Sequence, residues 1–311
     1  MASQHQIREE ITAKIIAALE KDLRPWRRMW NGCRTGQHSN AVTRKAYRGV
    51  NPLLLQLHAA EHGLSSPWWA TFRQWQNLGC TINRRPNHVP PGHWGATLAV
   101  YVPIKKEAED PDDEDETIWI LKKFTVFNAD QVAGAAAEKF KQVQMEQTET
   151  APDYEPAEQL IEATGAEIHF GGVRAFYRVP TPAGTWPNHT GGDFVQVPPK
   201  SAFANGCYYP TVLHELAHWS EVRVGWKDQP YAMGELVAEI ASAYLATELG
   251  VPNSEPLDNH AAYLKSWLSA MHDDSNFIFK ASKQASKVCD FLLSFVRQTE
   301  TEAKPELVEA A

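Results

Sequence analysis

His214-Glu215-Leu216-Ala217-His218 places two imidazoles four residues apart, with a carboxylate next to the first. On a helix, positions i and i+4 lie one above the other, so the two rings can grip a single zinc ion. Glu215 can then reach a water on that ion, which is the layout of a zinc-dependent hydrolase. The residues around the motif, Val212, Leu213, Leu216, Ala217 and Trp219, are apolar and predict a buried helix. A buried pair of histidines needs a partner such as a metal. The plain alternative is a surface helix with two exposed histidines.

Two histidines do not hold a catalytic zinc; a third protein ligand must join them and leave one position open. A third histidine soon after the second is excluded, because Glu221 and Val224 occupy the places where the extended motif needs Gly and His. Downstream, Glu235 and Glu239 are again four apart and face one way on a second helix. We take Glu235 as the third ligand and Glu239 as a carboxylate that orients a histidine, with the swapped assignment left open. Glu215 is then the general base toward water and the proton donor to a leaving amine. The expected cofactor is Zn2+, with another divalent transition metal as the alternative. Tyr231, His260 and Tyr263 are candidate donors to an oxyanion. Residues 193–197 read as an edge strand on which an extended peptide can pair.

The charge is unevenly distributed along the chain. The net charge is −8, yet residues 1–103 carry thirteen Lys/Arg against five Asp/Glu, a balance of +8 that leaves −16 for the remainder. A basic front end on an acidic body points to a polyanionic partner. Cations there alternate with aromatics, as in Trp26-Arg27-Arg28 and Arg44-Lys45-Ala46-Tyr47-Arg48. Stacking faces beside phosphate-attracting cations are how proteins hold single strands without sequence preference. The candidate DNA contacts are Trp26, Arg27, Arg28, Arg44, Lys45, Tyr47, Arg48 and Arg73. Trp68, Trp69, Phe72 and Trp75 sit at helical spacing and read as the core of a short helix opened by Ser66-Pro67 and closed near Gly79.

These chemistries need elements to carry them. A chain of 311 residues suggests two domains. Residues 1–20 form an amphipathic helix on Ile7, Ile11, Ile15 and Leu19, unlike a signal peptide. Helix 51–61 and strands 97–102 and 117–127 follow. Between the strands, 105–116 is an acidic run, read as a solvated hairpin loop or disordered insert; charge mimicry of nucleic acid is the less favoured reading. Polar residues 139–155 make the linker between a first domain, 1–138, and a second, 156–311. The second begins with helix 156–164 and three short strands and ends in helices, an α+β arrangement. Four separated cysteines without Cys-x-x-Cys fit neither a disulfide framework nor a thiolate zinc site. No apolar run is long enough to span a membrane, and the reducing cytoplasm is the expected location.

Both halves resemble ArdC-type antirestriction proteins of conjugative plasmids. The front resemblance rests on Pro25-Trp26, Trp30, Asn40, the run from Thr43 to Asn51, the run from Trp69 to Gln74, Gly79, the run from Phe124 to Asn128, and Gln131. It implies a single-stranded-DNA-binding domain of the kind shared with some plasmid primases. The rear resemblance rests on the run from Leu213 to Trp219, Glu235 with Glu239, and the run from Tyr263 to Leu268. It implies a zincin-like metallopeptidase domain of mobile-element proteins, with Gly234 standing where a third acidic residue is expected. The resemblance implies protection of incoming single-stranded plasmid DNA from host restriction. A host restriction or recipient-cell protein is then the candidate peptidase substrate. Two other readings remain: a DNA-binding protection module whose metal domain is structural or regulatory, and an acidic DNA mimic that inhibits restriction enzymes.

Overall fold

The computed structural model describes residues 3–21, 23, 25–26, 37–106, 116–141, 154–180, 192–203, 207–226, 229–251 and 260–302. The chain divides into two compact units, Met1–Met145 with Leu268–Phe279, and Glu146–Trp267 with Lys280–Ala311. Each mixes helices with strands, an α+β architecture. Among the described residues no helix is long and apolar enough to cross a membrane.

The first unit opens with α1 (Gln4–Leu19), started by a reciprocal cap in which Ser3 accepts the Gln6 N–H and Gln6 returns the bond. Its predicted stripe, Ile7, Ile11, Ile15 and Leu19, is buried. After β1 (Ser39–Asn40) the chain makes a basic turn and enters α2 (Asn51–His62), which stops where Gly63 takes a left-handed conformation. Asn51 holds both backbone groups of Ala99, accepting its N–H at 2.9 Å and donating to its carbonyl at 2.8 Å.

Residues 66–79 do not form the expected single helix. Trp68–Ala70 is a strand, β2, and the helix α3 begins only at Phe72 and runs to Asn77. The start signal is Thr71-x-x-Gln74, a capping box set inside the aromatic run, and the tryptophans before it suit a pleated strand. Trp69 and Trp75 are fully buried as expected, whereas Phe72 is 55 % exposed.

The short β3 (Thr81–Ile82) is followed by β4 (Ala96–Lys106) and β5 (Glu116–Asn128), a long antiparallel hairpin running to the pair Lys106 and Glu116. Residues 107–115, most of the acidic run, lie outside the described residues. The main sheet has the order β1-β2-β5-β4. Then β6 (Val132–Ala133) pairs with β3 ahead of the short α4 (Ala135–Glu138). Where β5 ends, the buried Asn128 accepts the Asp130 N–H at 3.0 Å and donates to the Ser66 carbonyl at 2.8 Å. Gln131 accepts the Asn128 N–H at 2.8 Å and donates to the Trp94 carbonyl at 2.5 Å. Removing one member strands buried polar partners. Asn128→Ala is expected to lower the stability of this unit by about 1–3 kcal/mol, read as an earlier urea midpoint. An unchanged midpoint would show the network to be idle.

In the second unit, α5 (Glu155–Ala163) precedes β7 (Glu167–Phe170), β8 (Phe176–Arg178) and β9 (Phe194–Val197). The helices α6 (Tyr208–Arg223), α7 (Tyr231–Glu248), α8 (His260–Asp273) and α9 (Phe277–Glu302) follow. The last residues of α8 and the first of α9 count with the first unit, where the Ser275 carbonyl between them accepts the buried Thr12 hydroxyl at 2.8 Å. The centre of the second unit is the packed α6–α7 pair, which carries Val212, Leu213 and Leu216 on one helix and Leu236, Val237 and Ile240 on the other, all fully buried. Each such side chain contributes about 1.5–3 kcal/mol by leaving water. That rigid seam holds the polar residues considered next.

Candidate metal centre and basic surface

The apolar frame of α6 buries His214 and Glu215 and leaves His218 half-buried. His214 Nε2 and His218 Nε2 stand 3.2 Å apart. From α7, Glu235 Oε2 lies 3.6 Å from His214 Nε2 and Glu235 Oε1 lies 3.6 Å from His218 Nε2. Donor atoms about 2.0–2.1 Å from a tetrahedral centre are separated by about 3.3–3.4 Å. The two nitrogens and the carboxylate therefore already have the spacing of three corners around one ion, and their chemistry is that of a divalent transition metal.

The outer edges of both rings face carboxylates. Glu221 Oε1 is 3.0 Å from His218 Nδ1, an arrangement that places the proton on Nδ1 and leaves the Nε2 lone pair free. In the sequence Glu221 stands out only as the residue that excludes a third histidine; its spacing of three from His218 on one helix is the signal that could have marked it. Gly234 belongs to the same arrangement: a Cβ there would lie 3.6 Å from Glu221 Oε1, so the carboxylate fills the space beside the missing side chain. On the other ring, Glu239 Oε2 is 3.7 Å from His214 Nδ1.

Three carboxylates, those of Glu215, Glu235 and Glu239, act on the two imidazoles. Burial disfavours a charged His214, yet the carboxylates of Glu235 and Glu239, with the charge of Glu215, push it up to about 10. Burial raises Glu215 above the ordinary carboxylate range, against the pull of His214 and His218. Glu235, despite burial, is held low by the same two histidines.

The sheet borders the motif through β8, whose Tyr177 main chain lies close to the Glu215 carboxylate and pulls its pKa down. The Tyr177 hydroxyl donates to Asp193 Oδ1 at 2.9 Å, and Arg223 at the end of α6 donates to Asp193 Oδ2 at 2.7 Å. The expectation that residues 193–197 form an edge is wrong. β9 is the central strand of β7-β9-β8, parallel to β7 and antiparallel to β8. Among the described residues, the edge beside α6 is β8.

Of the candidate oxyanion donors, Tyr231 and Tyr263 share a 2.7 Å hydrogen bond. That bond, partial burial and the neighbouring Glu235 charge keep the Tyr231 hydroxyl protonated far above the usual phenol range. Trp267 is buried and donates to the Ala232 carbonyl at 2.8 Å, fixing the start of α7. The His260 side chain lies outside the described residues.

In the first unit the basic turn is tightly built. Asn40 Oδ1 accepts the N–H groups of Val42 and Thr43 at 3.0 and 2.9 Å, and its amide donates to Tyr47 and Gln74. Arg44 takes a positive φ of 60°, and its guanidinium lies 4.8 Å above Trp68 and 4.7 Å above Phe140. Arg44, Lys45 and Arg48 are exposed, as are Phe72 and Arg73 at the head of α3, next to Gln74. Tyr47 is half-buried against Asn40. Trp26 is 4 % exposed and offers no face for a base, which corrects its place among the stacking residues. Arg27 and Arg28 lie outside the described residues.

Comparison with known proteins divides the chain as the chemistry does. Residues 5–127 match the family model of the N-terminal domain of anti-restriction factor ArdC. Residues 155–284 match that of a zincin-like metallopeptidase. The antirestriction ArdC protein from R388 plasmid, in its metal-free crystal structure, is 33 % identical with a TM-score of 0.73, covering 94 % of this chain and 98 % of that one. Its Mn(II)-bound structure aligns at 32 % identity and a TM-score of 0.68, over 93 % of this chain and 97 % of that one. The uncharacterized protein y4eC of Sinorhizobium fredii is 30 % identical over 92 % of this chain and 91 % of its own length. The DNA primase TraC of Escherichia coli is 31 % identical over 97 % of this chain, which spans only 28 % of that primase.

Proposed function

Since the chain belongs to the ArdC antirestriction family, we propose that it binds single-stranded DNA without sequence preference and protects incoming plasmid DNA from host restriction, using a second unit built as a zinc peptidase. The supporting observation for DNA binding is the exposed set Arg44, Lys45, Arg48 and Arg73 beside exposed Phe72. Exposed cations with an open aromatic face suit a flexible polyanion with unstacked bases, and Asn40 ties the basic turn to α3 by donating to Gln74 at 3.1 Å.

Binding of this kind releases counterions, so affinity falls steeply with salt, by about 0.7 in the log–log slope for each phosphate contact on a single strand. Lys45→Ala/Arg73→Ala is expected to flatten that slope by about 1.4 and weaken binding to every sequence alike. Filter binding of an oligonucleotide across a salt series measures it. An unchanged slope, or equal affinity for duplex, defeats the reading.

For the second unit, His214, His218 and Glu235 would hold the ion, which the donor set suits as zinc. When bound, it supplies Lewis acidity that polarises a scissile carbonyl. Glu215 takes a proton from the attacking water on its carboxylate and delivers it to the leaving amine. Glu239 and Glu221 keep the two rings oriented from their outer edges. Tyr231 donates from its hydroxyl to the oxygen on which charge develops. An extended substrate adds to β8, the edge strand beside α6 among the described residues, rather than to β9.

A further inference from the structure

We propose that α2 carries a second metal site, separate from the His214 centre, in which His58, Glu61 and His62 bind a divalent transition-metal ion. The three residues read His-x-x-Glu-His, the reverse order of the motif on α6. His58 and His62 are one turn apart with ring centroids 4.4 Å from each other. One ligand atom from each imidazole and one from the Glu61 carboxylate lie within 4.8 Å of one another.

The stronger observation concerns what the imidazoles lack. Nε2 of His58 and Nε2 of His62 are both buried, and neither has a hydrogen-bond partner among the described residues. One orphaned ring nitrogen in a core is an ordinary cost of packing. Two on neighbouring turns, with a carboxylate beside them, leave lone pairs that one ion satisfies together. The rest of the environment matches that use. The Trp94 main chain lies close enough to the His58 ring to raise its pKa against the effect of burial. Trp69 packs edge-on against His58 and Trp94 against His62, which fixes both ring planes. His58 and Glu61 also line a cavity of about 590 Å3 shared with His93 and Lys14, which gives an ion a way in.

A bound ion would clamp the last turn of α2. The same ring system leads to the basic turn, because Trp69 Nε1 donates to His38 Nδ1 at 3.0 Å, one residue before β1. Occupancy therefore stabilises the unit that carries the exposed cations, by mass action on its folded form.

The test is metal stoichiometry of the full chain by Co2+ titration, followed by visible absorption, and by elemental analysis after zinc dialysis. Wild type should take two ions. His214→Ala/His218→Ala should take one, and adding His58→Asn/His62→Asn should leave none. The conservative Glu61→Gln, at an exposed position, keeps both imidazoles and should weaken the remaining site at least tenfold with an unchanged circular dichroism spectrum. The proposal is overturned if the His214→Ala/His218→Ala chain binds no ion. It is equally overturned if that chain binds one whose affinity ignores both His58→Asn/His62→Asn and Glu61→Gln, since surface histidines would then be the ligands.

Discussion

Glu215→Gln is expected to keep the metal bound at full stoichiometry and to lower peptide hydrolysis by about 10²–10⁴-fold, the usual contribution of a positioned general base. The substitution preserves shape and leaves His214, His218 and Glu235 in place. The Tyr177 main chain can still meet an amide oxygen at that position. It removes only the ability to accept a proton. Because burial already raises the Glu215 carboxyl above its ordinary range, a neutral amide there costs the fold little. A peptide library with mass-spectrometric readout gives the rate, and elemental analysis gives the metal. Hydrolysis at the wild-type rate would falsify Glu215 as the base, and loss of the ion would mean that it serves binding. The same variant separates two readings of the family role. If protection of transferred DNA survives in Glu215→Gln but is lost in Lys45→Ala/Arg73→Ala, coating of the DNA is sufficient and peptidolysis serves something else.

How much of this centre could be read in the sequence depended on whether the signal was local. His214, Glu215 and His218 were legible because one helix carries them inside an apolar frame, and period and chemistry agreed. Glu235 and Glu239 were legible as a pair at helical spacing; their separate positions were not, since which edge of His214 each faces is set by how α7 packs on α6. Glu221 reads as a surface glutamate until His218 Nδ1 is found 3.0 Å away. The strand at Trp68–Ala70 was hidden by aromatics at 68, 69, 72 and 75 that imitate a helix, while the decisive cap at Thr71 and Gln74 is two uncharged polar residues. Trp26 was misplaced because alternation of cations and aromatics says nothing about which ring is buried. The central place of β9 follows from pairings on both sides with segments far along the chain, which no local pattern encodes. The orphaned nitrogens of His58 and His62 belong to the same class, visible only once Trp94 is folded against them.

Glu235→Ala is expected to cost metal affinity more than any other single carboxylate change, on the order of 10²–10³-fold, the per-ligand share of the about 10–16 kcal/mol with which four-ligand structural sites hold zinc. Glu239→Ala should cost about 10–100-fold, the effect of losing a carboxylate behind a ligating histidine. The two ranges touch, so the discriminating measurement is the Co2+ absorption spectrum. Glu235→Ala changes the ligand set and must move the ligand-field bands; Glu239→Ala weakens binding and leaves them in place. The conservative variants sharpen the contrast. Glu239→Gln still presents an oxygen to His214 Nδ1 and should recover most of the affinity, whereas Glu235→Gln offers a poor neutral ligand and should not. The geometry behind this asymmetry is that the two carboxylates address opposite edges of one ring, Glu235 at Nε2 and Glu239 at Nδ1. A histidine binds a given ion through one nitrogen only. If the bands move in Glu239→Ala and stay in Glu235→Ala, the ion lies on the Nδ1 edge of His214. Glu235, the carboxylate that stands 3.6 Å from both Nε2 atoms, would then be outside the ligand set, and His214 and His218 could not be joined through those nitrogens.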